Sequence, residues 1–191
     1  MSHLIGYDIT MDDLQNFRQL KSRCPGHPER GITPGVEVTT GPLGQGIANG
    51  VGMAIGVSHL AKLYNKPNLP IFNNFIYVVC GDGCLQEGVA AEAISLAGTL
   101  KLGRLIVLYD NNNIQIDGST NLSFTEDIQK RFESMGWHYQ YISHGDTDID
   151  GIEKAVEVAK NITDKPSIIS IKTTIGYASK KQGTADVHGA P

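Results

Sequence analysis

An α/β fold, a parallel sheet with helices on both faces, is what this sequence predicts, on three observations. Four short runs are rich in β-branched and apolar residues: Ile76–Cys80, Leu105–Tyr109, Tyr139–Ile142 and Ile168–Ile171. Stretches of helical spacing separate them, and the resulting strand–helix alternation is the order of βαβ units, whose crossovers cover both faces of a sheet. At 191 residues, 40% hydrophobic and 19% charged, the chain is long enough to bury one sizeable core, so residues 1–191 read as one domain.

Taken in order, residues 11–16 read as a short helix capped by Thr10, and 22–46 as a structured loop with many Gly and Pro residues. Residues 44–63 have helical spacing but carry glycine at 44, 46, 50, 52 and 56. Each interior glycine costs roughly 0.8–1.0 kcal/mol relative to alanine, so close packing must compensate, either inside the domain or across a subunit interface. Residues 65–74, with Pro67, Pro70 and four asparagines, form a loop before the first strand. The helix at 89–100 would present Ala93, Leu96, Ala97 and Leu100 on one face, and further helices follow at about 126–135 and 149–161. Asp148 or Asp150 would cap the last of them. From Thr173 the periodicity fades, and no closing helix precedes Val187–Pro191, the pattern expected of a fragment.

The charge balance excludes some partners. A net charge of -4 and a pI near 5.8 supply no basic face for nucleic acid or an anionic membrane. Neither a basic-then-apolar leader nor an apolar stretch long enough to span a bilayer is visible, so the chain reads as cytoplasmic. Three cysteines, Cys24, Cys80 and Cys84, fit reduced, packed residues better than a disulfide framework or a zinc site. His3, His59, His138 and His144 read as structural or solvated, and Trp137, Tyr139 and Tyr141 as core and strand residues.

The candidate chemistry begins at Gly81-Asp82-Gly83, directly after the first predicted strand. Ligands of open parallel sheets bind outside the carboxyl ends of the strands. Glycine there lets the backbone approach a diphosphate, and aspartate offers a hard oxygen to a divalent cation. The next strand runs out into Asp110-Asn-Asn-Asn113. If the two strands pair in parallel through the helix at 89–100, their carboxyl ends lie about 4.8 Å apart. Asp82 and one asparagine would then face one crevice, a donor set sparse enough for Mg²⁺, which keeps water and phosphate oxygens in its shell.

Gly-Asp-Gly, 27 residues, then Asn-Asn is similar to the thiamine-diphosphate binding motif. The longer strings resemble the transketolase family: Pro25-Gly-His-Pro-Glu29, Thr39-Thr-Gly-Pro-Leu-Gly-Gln-Gly46, Gly81-Asp-Gly-Cys-Leu-Gln-Glu-Gly88, Ile116-Asp-Gly118, Thr173-Thr-Ile-Gly-Tyr177 and Val187-His-Gly-Ala-Pro191. They occur in the family's order and cover nearly the whole chain, and they imply a diphosphate-binding domain over 1–191 that is incomplete at both ends, the family's opening segment being absent. The resemblance implies a thiamine-diphosphate-binding fold, with Asp82, Asn112 and the Ile114 carbonyl as metal ligands. It places Gly81 and Gly83 against the diphosphate, and Gly41 and Leu43 against the cofactor rings. His27 and His188 would be the active-site histidines, His188 also touching the cofactor phosphate. Glu87 and Glu92 would join a hydrogen-bond network across a homodimer, although alone they would suit a solvated helix start.

The resemblance further implies thiamine diphosphate with Mg²⁺, or Ca²⁺ in its place, and transfer of a two-carbon ketol unit between sugar phosphates. The cofactor would act as the electron sink. A second, pyrimidine-binding domain would be required, and without it the glycine-rich segment would expose Ile47, Val51 and Ile55 and promote association. A dihydroxyacetone synthase, a split small subunit active only with a separate pyrimidine-binding chain, and a nucleotide-binding α/β protein are the alternatives. The last lacks the expected Gly-x-Gly-x-x-Gly after a strand.

Overall fold

The structure, a computed structural model, describes residues 2–190; Met1 and Pro191, the end of the last family-like string, lie outside the described residues. The chain divides into two compact units. Gly44–His188 forms the larger; the residues up to Leu43, with those from Gly189 on, form the smaller.

The larger unit is built on a four-stranded parallel sheet in the order β1-β2-β6-β5. These strands are β1 (Ile76–Gly81), β2 (Leu105–Asn111), β5 (His138–Ile142) and β6 (Ser167–Lys172). Each contains a predicted run and extends it by a residue or two. A two-stranded antiparallel hairpin, β3 (Ile114–Gln115) with β4 (Gly118–Ser119), follows β2. Sequence reading missed it, because two-residue strands carry no periodicity. It also missed α3 (Asp82–Gln86), which continues β1 without a break and is too short to show a helical stripe.

The sheet is covered on both faces, as predicted. On one side α2 (Gln45–Tyr64), α4 (Gly88–Thr99) and α5 (Ile128–Ser134) contribute to a core of Ile47, Val51, Ala54, Ile94, Ala97 and Phe132 against Val78, Leu105, Val107 and Ile168. On the other, α6 (Ile149–Asn161) packs Ala155 and Ala159 on Ile106, Ile169 and Ile171. β2 therefore buries side chains on both faces, which is why its sequence is a continuous apolar run. Asp148, not Asp150, caps α6 by accepting a hydrogen bond from the Gly151 N–H at 2.9 Å.

Two expectations about helix faces are corrected. Ile47 and Val51 are each only 2% exposed and belong to the core; of the three predicted to be bare, only Ile55 reaches solvent. The internal-packing reading of the glycine-rich helix holds at Gly50. A Cβ at Gly50 would collide with the Val78 side chain, so this glycine lets α2 lie close on β1, whereas Gly52 and Gly56 face open space. On α4 the buried side is Ala90, Ile94, Ala97 and Gly98, with Ala93 packed at its margin, while Leu96 and Leu100 are about half exposed. Gly98 shifts the face: a Cβ there would overlap the Met135 carbonyl oxygen at the end of α5, so the helices meet at a glycine that apolar spacing does not count.

Trp137 is buried, as expected. Its ring meets that of Phe132 edge-on at 5.2 Å between centroids, and its indole N–H donates to the Ile94 carbonyl at 2.9 Å. Tyr139 is partly buried in β5, whereas Tyr141 is half exposed and is a strand residue but not a core one. All three cysteines are free; Cys80 is buried, and Cys24 and Cys84 are partly so.

In the smaller unit α1 (Met11–Gln15) begins with the expected Thr10 cap, reinforced by the Asp13 carboxylate, which accepts in return from the Thr10 N–H. The loop beyond it is ordered by polar contacts. Arg23 pairs with Asp8 at 3.0 Å and Asp13 at 3.4 Å, and its carbonyl accepts from the Thr33 hydroxyl at 2.7 Å. Among the described residues, no helix is long and apolar enough to cross a membrane.

Candidate functional site

The site forms where β1 and β2 end side by side. Their parallel register sets Gly81 opposite Asp110, so the α3 start and the loop after β2 share one crevice at the carboxyl edge of the sheet. Gly81 is the N-cap of α3 and offers no side-chain cap to the helix's first N–H groups. A Cβ at Gly81 would meet nothing within 4 Å, so the backbone here is open to an approaching group. Gly83 lies in the same short helix.

Asp82 is the centre of the arrangement and is only 3% exposed. Its Oδ1 accepts from the Tyr109 hydroxyl at 2.6 Å, and its Oδ2 accepts from the backbone N–H of Asn112 at 3.3 Å and of Asn113 at 3.1 Å. Burial raises its pKa above the ordinary carboxylate range; the three hydrogen bonds oppose this, and the Asp110 charge adds to it. Burial likewise raises the Tyr109 hydroxyl, assisted by its bond to Asp82, so the tyrosine stays a donor. It also raises the Cys80 thiol, which favours its neutral form.

The three consecutive asparagines are sorted by their surroundings. The Asn111 side chain donates to the Ser170 hydroxyl on β6 at 3.2 Å and ties the loop to the sheet. Asn113 is exposed, in left-handed backbone with φ 62°. The Asn112 side chain accepts from the Ile114 N–H at 2.9 Å and donates to Asp110 Oδ2 at 3.2 Å. Ile114 opens the β3–β4 hairpin, which is pinned to α3 by a closed ring of side chains. Gln86 donates to Gln115 at 3.0 Å, Gln115 to Ser123 at 2.9 Å, and Ser123 back to Gln86 at 3.1 Å.

Asp82, Asn112 and Ile114 are thus gathered at one crevice. Among the described residues no group of three or more His, Cys, Asp or Glu side chains could hold a metal ion. One carboxylate, one amide and one carbonyl are oxygens that suit a hard cation sharing its shell with phosphate. The residues present fit that group. An almost fully buried carboxylate whose charged form is disfavoured is a group that a bound cation would relieve.

The remaining predicted residues are divided between the two units. Glu87 is the partly buried hinge between α3 and α4, and a Cβ at Gly44 would meet its Cβ at 2.7 Å; Glu92 is exposed on α4. His188 is exposed at the end of a single 3-10 turn, Ala185–Val187. His27, Gly41 and Leu43 belong to the smaller unit. There His27 is exposed, with its ring 3.1 Å from where a Cβ of Gly41 would stand, and it lines a depression with Arg18, Gln19, Pro25, Gly26 and Glu29. Leu43 is half exposed.

Sequence reading missed Tyr109 and Thr173 as site residues. The available signal was position alone: Tyr109 carries a hydroxyl at the last core position of β2, and Thr173 continues β6 beside Asn111, whose carbonyl accepts its N–H at 3.2 Å.

The desolvated Asp82 has a cost that a mutation should expose. Asp82→Asn should raise the melting temperature of the metal-free chain at neutral pH, because a neutral amide is cheaper to bury and Tyr109 can turn its hydroxyl to accept. The sign follows from the raised pKa: the folded chain binds more protons than the unfolded one, so Asp82 lowers stability as pH rises through its folded pKa. Melting curves of the two chains should therefore separate at neutral pH and converge in acid. Curves separated by the same amount in acid would contradict this.

A buried aspartate at the carboxyl edge of a parallel sheet, facing an asparagine loop, defines an α/β protein whose crevice lies where open parallel sheets bind their ligands. Residues 1–191 match the family described as transketolase, thiamine diphosphate binding domain, and the chain belongs to this family. It is 57% identical over 190 residues to the transketolase of Nostoc sp., covering 98% of this chain and 28% of that protein. With the transketolase of Geobacillus stearothermophilus the identity is 58% over 190 residues, covering 99% and 28%. A solved transketolase from Leishmania mexicana superposes with a TM-score of 0.92 at 58% identity, over 97% of this chain and 28% of that one. A Pichia stipitis transketolase complexed with sedoheptulose 7-phosphate gives 0.93 at 56% identity, over 98% and 28%. The chain thus spans a little over a quarter of the length of these relatives.

Proposed function

We propose that this chain holds the diphosphate and Mg²⁺ of thiamine diphosphate for a transketolase, a cytoplasmic enzyme of the pentose phosphate pathway that moves a two-carbon ketol unit from a ketose phosphate to an aldose phosphate. The observation that carries this reading is the buried Asp82 carboxylate set against the Asn112 loop at the ends of β1 and β2. Asp82, the Asn112 amide oxygen and the Ile114 carbonyl would hold the metal, with Ca²⁺ accepted in its place. A Cβ at Gly81 would meet nothing within 4 Å; Gly81 and Gly83 would lie against the diphosphate, and Gly41 and Leu43 would lie along the cofactor rings. When bound, thiamine diphosphate supplies the electron sink that ketol transfer requires.

The chain's own groups position and move protons. His27 would hydrogen-bond sugar oxygens as they gain or lose protons, and His188 would contact both substrate and cofactor phosphate. Glu87 and Glu92 would extend a carboxylate network to a second subunit in a homodimer. Catalysis would need a pyrimidine-binding domain, from the same or another polypeptide, to close over the cofactor.

Calorimetric titration of thiamine diphosphate onto the chain, with and without Mg²⁺, tests the binding reading, and a coupled ketol-transfer assay tests catalysis. Metal-dependent binding without turnover, and turnover once the pyrimidine-binding domain is added, are expected. Binding indifferent to Mg²⁺ would overturn the reading. In the assembled enzyme His27→Ala should lower kcat with cofactor affinity nearly intact, while His188→Ala should lower both. Full rescue of His27→Ala by excess cofactor would contradict the division.

A further inference from the structure

We propose that Asp110, held in place by Thr173, is a positioning residue that fixes which end of the Asn112 carboxamide faces the metal. This rests on the reading of Asn112 as a metal ligand through its oxygen. A carboxamide has an acceptor end and a donor end of nearly equal size, and only the oxygen end is useful to a cation. The two partners of Asn112 have fixed chemistry. The Ile114 backbone N–H can only donate, so it must meet Oδ1, at 2.9 Å. The Asp110 carboxylate can only accept, so it must meet Nδ2, at 3.2 Å. The reversed amide would set donor against donor and acceptor against acceptor.

Asp110 is itself held. Its Oδ1 accepts from the Thr173 hydroxyl, which leaves Oδ2 turned to Asn112. Thr173 is fixed by its own N–H, which donates to the Asn111 carbonyl at 3.2 Å where β6 runs past the end of β2. Asn112 Oδ1 uses one lone pair on Ile114 and keeps the second for a cation. The device therefore runs from β6 through Thr173 and Asp110 to the amide, and none of these residues except Asn112 need touch the metal. Outer groups that orient a ligand typically govern metal affinity by about 10–100-fold.

The test titrates Mn²⁺ onto the chain in the presence of thiamine diphosphate, read by electron paramagnetic resonance, with melting curves of the metal-free proteins alongside. Asp110→Leu removes acceptor and charge, and should weaken Mn²⁺ binding about 10-fold or more. Asp110→Asn removes the charge but retains an acceptor for Asn112, and should cost clearly less. In an Asn112→Asp background, where both ends of the side chain are equivalent, Asp110→Leu should cost nothing further. Thr173→Val, which leaves Asp110 intact, should weaken binding in the same direction by a smaller factor and keeps the test valid if Asp110→Leu folds poorly.

Equal losses for Asn and Leu at 110 would overturn the proposal in favour of a plain charge effect. An undiminished Leu penalty with Asp at 112 would overturn it in favour of a structural role. No Mn²⁺ binding by the unaltered chain would instead sink the metal-site reading, and this proposal with it.

Discussion

Asp82→Ala is expected to abolish Mg²⁺-dependent binding of thiamine diphosphate. The side chain is the one carboxylate at the crevice with direct access to both the α3 start and the Asn112 loop, and it alone of the proposed ligands brings negative charge. Without it, a divalent cation and a diphosphate would meet only an amide and a carbonyl. The loss should exceed the roughly 10–100-fold typical of outer-shell changes. Asn112→Ala should weaken binding less, because water can replace a neutral amide oxygen. Changes at Asn111 and Asn113 should matter less again, since one amide is committed to Ser170 and the other residue is exposed. Calorimetry with and without Mg²⁺ distinguishes these cases, and unchanged affinity in Asp82→Ala would refute the assignment.

The second large effect concerns stability. Phe132 is fully buried at the junction of α5, β5 and α4, and Trp137 packs edge-on against it. Phe132→Ala should cost about 3–5 kcal/mol, the range for emptying a buried aromatic site, and lower the melting temperature by roughly 10 °C. Collapse into the cavity is opposed on one side by the close backbone contact between Gly98 and Met135, and on the other by the indole bond to Ile94. Trp137 is the chain's single tryptophan, so its fluorescence reports the site directly. Near-native emission with an unchanged melting temperature would show that the junction repacks freely.

The sheet was legible because its strands are apolar runs bounded by turn residues, and parallel pairing of β1 with β2 followed from the helix between them. The same logic found Asp82, which stands out as a glycine-flanked aspartate at a strand end. It did not yield the hairpin at 114–119, Tyr109 as a partner of Asp82 or Thr173 as the partner of Asp110, since both meet the site only through strand register. Helix faces were less legible. Apolar spacing on 89–100 favoured Leu96 and Leu100, yet the close approach at Gly98 turns Ile94 inward and leaves those leucines half exposed. On α2 the spacing of glycines could not tell Gly50, pressed on Val78, from Gly52 and Gly56, which face open space.

The ring of Gln86, Gln115 and Ser123 closes on itself, each side chain both giving and receiving a hydrogen bond. Two segments of the crevice, separated by about thirty positions along the chain, are therefore fastened together by protein side chains. A loop cross-linked in this way to its neighbouring helix forfeits little conformational freedom on binding. Amide hydrogens of 112–123 should accordingly exchange slowly in the free chain, and cofactor binding should slow them little further.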